Sequence, residues 1–287
     1  MLRLVTTLLA ASMLLSGGSH LIRPLTFDDQ ADQAVWSWRT SGAAEIWRDG
    51  FVPLGDLTSM PPEVSEKVQQ DEEFGWIVAG PLPATPAESQ IRWDDGSTMR
   101  VPVIGARKAL RAISPWPEEY TFPKGEAYEL TGATFTTMRL KTVRGMATVP
   151  AWRLSFSNLP GPVHRVAVDQ DAIGTVRAAV GEQDPVEERV ADYELLDDRT
   201  LLITYGYGTC GSKPLAVRSR VLEQPDVVVL GIVVPHQGGG ICLGVGRSGK
   251  DVVKLGEPLR DRVVLDAGSR LPVQCARTPD ACRVEPR

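Results

Sequence analysis

Four cysteines, Cys210, Cys242, Cys275 and Cys282, are the residues whose type and position most clearly predict a chemistry. Four cysteines allow three disulfide pairings. We favour Cys210 with Cys242, which would join two strand patterns, and Cys275 with Cys282, which would form a local clip. In a chain-entropy description the first bond stabilises by roughly 3.7 kcal/mol, and the second stabilises less because its loop is shorter.

The alternatives to disulfides are free thiols and a metal site. The sequence contains no Cys-x-x-Cys pair, and its three histidines, His20, His164 and His236, do not fall at zinc-ligand spacing. His164 and His236 lie beside proline-containing turns and have no sequence partner that marks a general base. The residue types therefore predict no metal ligand and no cofactor.

Two glycine-rich stretches resemble nucleotide-binding motifs. Gly244 to Lys250 has the Gly-x4-Gly-Lys start of a phosphate loop, and Gly206 to Gly211 reads Gly-x-Gly-x-x-Gly. Both motifs need a following helix whose N-terminus faces the phosphate. The first stretch runs instead into a strand pattern, Asp251 to Leu255, and no helix pattern follows the second. We therefore interpret the first as a hairpin turn and the second as glycines that relieve crowding beside a disulfide.

Adjacent carboxylates are the remaining candidates for acid and base chemistry. Neighbouring residues of an extended chain point to opposite faces, so such a pair does not aim at one bond. We interpret the pairs as turn and linker residues. The sequence also lacks the Gly-x-Ser-x-Gly elbow of serine hydrolases, and we predict no catalytic residue. The pairs are Asp94-Asp95, Glu118-Glu119, Glu187-Glu188 and Asp197-Asp198.

Tryptophan is the one residue type that suggests a ligand surface. Trp36 and Trp38 are two residues apart and would share one face of a strand, and Trp116 lies between two prolines. Exposed tryptophans stack on sugar rings or bind apolar partner surfaces. These three residues form our candidate binding surface. For tryptophans in strand patterns, packing in the hydrophobic core is the favoured interpretation.

The N-terminus has the pattern of a bacterial export signal. Arg3 precedes an apolar run from Leu4 to Leu15, and small residues follow. We expect cleavage after Gly18, with an uncleaved membrane anchor over Leu4 to Ile22 as the alternative. Gly18 stands where a lipidated cysteine would be, so a lipid anchor is not expected. In either case we expect residues 23 onward to face an oxidising extracellular or envelope compartment, which favours disulfides.

Composition narrows the range of partners. The chain has 287 residues, of which 43% are hydrophobic and 23% charged, enough for one large or two ordinary hydrophobic cores. A formal net charge of −5 provides no basic patch for nucleic acid or anionic lipid. The expected partner is an envelope protein or a wall polymer, with membrane contact only through an uncleaved N-terminal segment.

The expected fold is mainly β, with two β-rich units and one or two short helices in the N-terminal region. The predicted order is a signal peptide or anchor over 1–18, a tether over 19–34, a Trp-bearing β-rich region over 35–180 with a Pro-rich linker near 114–125, a disulfide-stapled, Cys-containing β-sandwich-like domain over 190–273, and a tail over 274–287 that carries the local cysteine clip.

Local patterns add detail to this order. Asp-Gly pairs predict hairpins over 45–54 and 91–103, and strands over 136–143 and 146–156 are joined by a turn at Arg144-Gly145. Residues 105–113 favour a brief helix, and residues 62–73 favour either a helix or a loop. In the C-terminal unit, Val227 to Val234 is apolar throughout, which is typical of a strand buried on both faces. The spacing of its short strands is typical of a sandwich.

Two passages carry a resemblance to a known group of proteins. Arg144 to Leu154, followed by Gly161 to Val168, resembles a passage of uncharacterised exported proteins and lipoproteins of actinobacteria. The region from Gly208 to Cys242, followed by Gly256 to Arg262, is similar to their C-terminal half. The resemblance covers about half of the chain and implies an envelope location and a β-rich fold, without implying any catalytic residue.

The sequence as a whole predicts an exported, non-enzymatic envelope or secreted protein that acts in protein binding or assembly. The alternative is a module that binds cell-wall glycan through the N-terminal tryptophans, and the third hypothesis is an extracellular hydrolase.

Overall fold

The computed structural model describes residues 25–71, 74–117, 120–123, 125–181, 188–211, 213–235 and 244–275. The predicted export signal, His20, His236, Cys242 and Cys282 lie outside the described residues. No helix within these ranges is long and apolar enough to cross a membrane. None of the cysteines within them is a free thiol.

The described residues form five α-helices and a short 3-10 helix, Gln170–Ala172. The α-helices are α1 (Phe27–Thr40), α2 (Ala43–Asp49), α3 (Pro62–Gln70), α4 (Ala106–Arg111) and α5 (Val176–Val180).

Strands dominate the architecture, which confirms the prediction of a mainly β fold. Seven strands form an N-terminal sheet: β1 (Thr58–Ser59), β2 (Gly75–Val78), β3 (Glu88–Trp93), β4 (Thr98–Pro102), β5 (Ala127–Thr142), β6 (Gly145–Phe156) and β7 (Val163–Val166). Seven more form two C-terminal sheets: β8 (Arg189–Leu195), β9 (Thr200–Thr209), β10 (Arg218–Glu223), β11 (Val227–Val233), β12 (Val245–Lys254), β13 (Val263–Asp266) and β14 (Gln274–Cys275).

The N-terminal sheet is built around the long hairpin of β5 and β6, which confirms the two strands predicted over 136–143 and 146–156. Strand β6 pairs with β5 along one edge and with β3 and β7 along the other, and β2 adds to β5 in parallel. The two faces of this sheet belong to separate hydrophobic clusters. Trp152 lies in the one covered by α3 and α4, and Trp93 lies in the other.

The C-terminal sheets have the strand orders β10-β11-β13 and β12-β9-β8-β14. Side chains of both sheets meet in one hydrophobic cluster that includes Ile203 and Leu230. Successive residues of β11 alternate between this cluster and a second one, where Val227 and Val229 pack against α1. The prediction that this strand is buried on both faces is therefore confirmed for Val227 to Leu230.

Helix α1 corrects two predictions about the N-terminal region. Residues 27–34, predicted as part of a tether, and the Trp36–Trp38 segment, predicted as a strand, form one helix. Thr26 caps it through a reciprocal pair of hydrogen bonds with Asp29, and apolar side chains recur at helical spacing on the buried face. The N-terminal end of the described chain therefore covers a C-terminal sheet.

The two Asp-Gly patterns have different outcomes. The hairpin predicted over 91–103 is confirmed by β3 and β4, with Gly96 at φ +84° in the turn. The hairpin predicted over 45–54 is wrong, because residues 43–49 form α2 and Gly50 ends that helix. A Cβ atom at Gly50 would lie 2.5 Å from the carbonyl oxygen of Ile46, so this close approach requires glycine. The helix over 105–113 is confirmed by α4, and α3 shows that residues 62–70 are helical.

Candidate functional site

The structure separates the three tryptophans of the candidate binding surface. Trp36 lies on the outer face of α1 with 67% of its surface exposed. Trp38 is 3% exposed and packs edge-on against Trp47. The prediction that Trp38 belongs to a ligand surface is therefore wrong. Residues two apart on a helix point about 200° apart, whereas residues two apart on a strand share a face.

Trp116 lies in an aromatic cluster beside the edge strand β2. Its indole stacks on Tyr120 at a centroid distance of 5.0 Å, and its Nε1 donates a hydrogen bond to the carbonyl oxygen of Phe74 at 3.3 Å. Phe122 completes the cluster and contacts Gly75. Together with Arg107 these rings line a groove of about 280 Å³, which we call the aromatic groove.

A larger site lies between the N-terminal sheet and the C-terminal sheets. We call it the inter-sheet cleft. It has a volume of about 360 Å³, within the range of small-ligand sites. Its walls are the tip of the β5–β6 hairpin at 141–145, the segment 259–264 that leads into β13, and Tyr193 with residues 273–275. Four of its lining residues are cationic and one is acidic.

The hairpin tip is held rigidly. Buried Thr142 accepts a hydrogen bond from Trp93 Nε1 at 2.9 Å and donates one to the carbonyl oxygen of Gly145 at 2.8 Å. The guanidinium of Arg144 lies 3.9 Å above the Trp93 ring and donates to Ser97 Oγ at 2.9 Å. Arg144 therefore serves the structure of the tip, and the neighbouring Lys141 is the cation that this wall offers to a ligand.

An ion pair holds the opposite wall in place, and the arginine of this pair is largely buried. Arg262, whose side chain is 8% exposed, contacts Glu223 at 3.0 Å and donates to the carbonyl oxygens of Glu257 and Pro258. Burial alone would raise the pKa of the Glu223 carboxyl, but hydrogen bonds from the amide of Gly256 and from Arg262 lower it overall. Glu223 therefore stays ionised and holds the segment in place.

Arg260 occupies an unusual backbone position in this wall. The amide of Arg262 donates to the carbonyl oxygen of Leu259 at 3.1 Å, which closes a turn with Arg260 and Asp261 at its centre. Arg260 has φ +49°, and Asp261 does not have a positive φ. A positive φ at the first central position of such a turn favours glycine. The chain carries an exposed arginine there instead, at the mouth of the cleft.

The groups that face the cleft are available for a ligand. Within the described ranges, the side chains of Lys141, Tyr193, Arg260 and Gln274 make no hydrogen bond or ion pair. Burial raises the pKa of the Tyr193 hydroxyl, so this group is a neutral donor at neutral pH. The cleft thus combines two free cations with a hydroxyl and an amide on rigid walls, an arrangement suited to carboxylate-bearing ligands.

The other sequence candidates are not brought into this site. His164 lies on β7, where burial and then the charge of Arg153 lower its pKa. Residues 245–250 lie within β12, so the interpretation of Gly244 to Lys250 as a hairpin turn is wrong. Gly206 to Thr209 belongs to β9, and neither glycine motif precedes a helix. Among the described residues no group of three or more His, Cys, Asp or Glu side chains is placed to hold a metal ion.

Comparison with known proteins finds no relative of this chain: no protein-family model, no curated protein and no solved structure matches it. The resemblance to exported actinobacterial proteins therefore stays a prediction.

Proposed function

We propose that the protein is an exported envelope protein that acts by binding, and that the inter-sheet cleft receives an acidic segment of a partner protein. The observation that carries this proposal is the pair of free cations, Lys141 and Arg260, on walls that other interactions hold rigid. Pre-organised walls reduce the entropy that binding must remove. An overall charge of −5 makes this cationic cleft a local exception on an acidic chain.

The exported location is part of the same proposal and rests on the N-terminal signal pattern together with disulfide bonding. The sheet register bears on the pairing. Cys275 lies opposite Tyr193, and Tyr193 lies opposite Ile203. Cys210 is seven residues beyond Ile203, which is about 23 Å along an extended strand. Disulfide-bonded Cα atoms lie within about 7 Å of each other, so Cys210 and Cys275 are too far apart to pair.

The register also argues against a bond between Cys242 and Cys275. Val245 lies opposite Thr209, about 20 Å along β9 from the level of Cys275. Cys242 is three residues before Val245, a reach of about 10 Å. We therefore propose bonds Cys210–Cys242 and Cys275–Cys282, which give the disulfide-stapled, β-sandwich-like C-terminal domain of the sequence hypothesis. Peptide mapping under non-reducing conditions tests them, and a Cys210–Cys282 peptide would contradict the proposal.

The cleft is tested by fluorescence anisotropy with a labelled hexaglutamate peptide and the purified, oxidised chain from Ser19 onward. Arg260→Ala and Lys141→Ala should each weaken binding about tenfold, because each removes one charge-assisted hydrogen bond. Arg100→Ala is the matched control, since Arg100 is an exposed arginine on β4, outside the residues that line the cleft. A labelled hexaglutamine peptide controls for charge.

Three outcomes count against the cleft. They are no binding of hexaglutamate by the unaltered chain, equal binding of hexaglutamine, and equal losses in Arg100→Ala and Arg260→Ala.

The aromatic groove supports glycan binding as the second candidate function. Tyr120 is 51% exposed and stacks on Trp116, so the groove presents an aromatic ring at the surface. Sugar rings bind to such faces. Co-sedimentation with protein-free cell wall tests this function: Tyr120→Ala should abolish it, and Trp36→Ala should leave it unchanged. Sedimentation that survives Tyr120→Ala would remove the groove from consideration.

A further inference from the structure

A separate pocket on the N-terminal sheet surrounds Arg165. This residue lies on β7 directly opposite Thr58 of β1, and Ser65 of α3 also lines the pocket. Ser59 and Asp56 complete its polar lining, and its volume is about 540 Å³. We call it the Arg165 pocket. It shares no residue with the inter-sheet cleft or the aromatic groove.

Arg165 is partly withdrawn from water without a counter-charge. Its Nη1 donates to Thr58 Oγ1 at 2.9 Å, while its Nε is buried and has no hydrogen-bond partner among the described residues. No ion pair in the described part of the chain includes Arg165, although Asp56 lines the same pocket. Burial lowers the pKa of the guanidinium, and no neighbouring acid opposes that change.

Other arginines of the same chain have an acidic partner that compensates their charge. Among the described arginines in ion pairs, Arg262 is the most enclosed, and it contacts Glu223 and backbone carbonyl oxygens. Arg39 forms a two-pronged contact with Asp226, as Arg139 does with Asp94. An enclosed cation that lacks such a partner is destabilising in the free protein. A negatively charged ligand would therefore supply the counter-charge that Arg165 lacks among the described residues.

The lining defines the chemistry of that ligand. An arginine fork binds a planar carboxylate with two parallel hydrogen bonds. The hydroxyls of Ser59 and Ser65 have no side-chain partner among the described residues and can donate or accept. The Asp56 carboxylate is exposed and accepts hydrogen bonds only, so it favours a ligand with hydroxyl groups and disfavours one with two negative charges.

We propose that the Arg165 pocket binds a hydroxylated carboxylic acid of the sugar-acid class, with Arg165 on the carboxylate and Asp56 on a hydroxyl. Isothermal titration calorimetry of the oxidised chain with glucuronate, glucose and inorganic phosphate tests it. Glucuronate should bind at least about tenfold more tightly than either of the others, since glucose lacks the carboxylate and phosphate lacks the hydroxyls.

Variants distinguish recognition from structure. Arg165→Met should abolish glucuronate binding and raise the Tm of the free protein by about 2 °C or more, because it replaces an uncompensated charge by an apolar chain of similar length. Arg153→Gln, on the neighbouring strand β6, is the control and should leave both measurements unchanged. Asp56→Ala should weaken glucuronate binding more than it weakens binding of acetate.

The proposal is overturned by equal affinity for glucuronate and glucose, by tighter binding of phosphate, or by a lower Tm in Arg165→Met. The last result would show that Arg165 stabilises the fold.

Discussion

Arg260 offers a test in which stability and binding are expected to change in opposite directions. Its φ of +49° lies in the region that favours glycine. Replacing it by glycine relieves the backbone conformation and also removes the cation at the mouth of the inter-sheet cleft. The Arg260→Gly variant should therefore fold more stably and bind hexaglutamate less tightly.

The size of the stability gain follows from two opposing terms. A left-handed backbone conformation costs a residue other than glycine about 1–2 kcal/mol. Glycine gives back about 0.5–1 kcal/mol, because it has more conformational freedom in the unfolded chain. The side chain of Arg260 makes no hydrogen bond or ion pair within the described ranges, so its removal adds no further loss. The difference is a net gain of about 0–1.5 kcal/mol with a midpoint of about 0.75 kcal/mol, and that midpoint corresponds to a rise in Tm of about 2 °C.

Urea denaturation and thermal unfolding measure this gain, with two controls. Arg260→Ala keeps the backbone cost but loses the charge, so it should lose binding without gaining stability. Arg270→Gly relieves a similar φ of +57° but also loses a 2.7 Å hydrogen bond from Arg270 to Gln33, so its net change should be near zero. The reasoning is refuted if Arg260→Gly is no more stable than Arg260→Ala.

Three further changes test the packing and the electrostatics of the fold. Trp38→Ala should lower the free energy of unfolding by about 3–5 kcal/mol in urea denaturation, whereas exposed Trp36→Ala should change it by no more than about 0.5 kcal/mol; similar losses would contradict helix α1. Asp266→Ala should cost about 2–4 kcal/mol by the same method, because this buried carboxylate accepts two backbone amide hydrogen bonds, and a loss below 1 kcal/mol would contradict that role. The hydrogen bond from Arg39 lowers the pKa of Asp226, so the stabilisation from this carboxylate is present above its unfolded pKa near 3.9 and is lost as the pH falls through its lower folded value. Asp226→Asn should therefore be less stable than the unaltered chain at pH 6, by under about 1 kcal/mol because both partners are partly exposed. At pH 2 the two proteins should be equally stable. A stability difference that grows as the pH falls would contradict this sign.

The strands of the fold were predictable where one local pattern decided the structure. The apolar run beginning at Val227 has no polar face, which only a doubly covered strand accommodates. Helix α1 was missed because two tryptophans at a spacing of two suggested a strand. The helical spacing of Phe27, Ala31 and Val35, together with the Thr26 and Asp29 cap, was the stronger signal.

The candidate sites were less predictable because their residues come from distant parts of the chain. Lys141 and Arg260 meet in one cleft although more than 100 residues separate them. No local motif marks either residue, and the positive φ of Arg260 is imposed by the turn around it. Arg165 is similar, since its lack of an acidic partner in the described part of the chain depends on which strands and which helix surround it. Such information arises only when the sheet register is known.

Hydrogen–deuterium exchange with and without saturating hexaglutamate tests the central claim most directly, because it reports the location of binding along the oxidised chain. The account predicts slower exchange at the cleft walls, residues 141–145 and 259–264, and no change around Trp116. Protection confined to the aromatic groove, or no protection anywhere, would contradict the assignment of the inter-sheet cleft as the binding site.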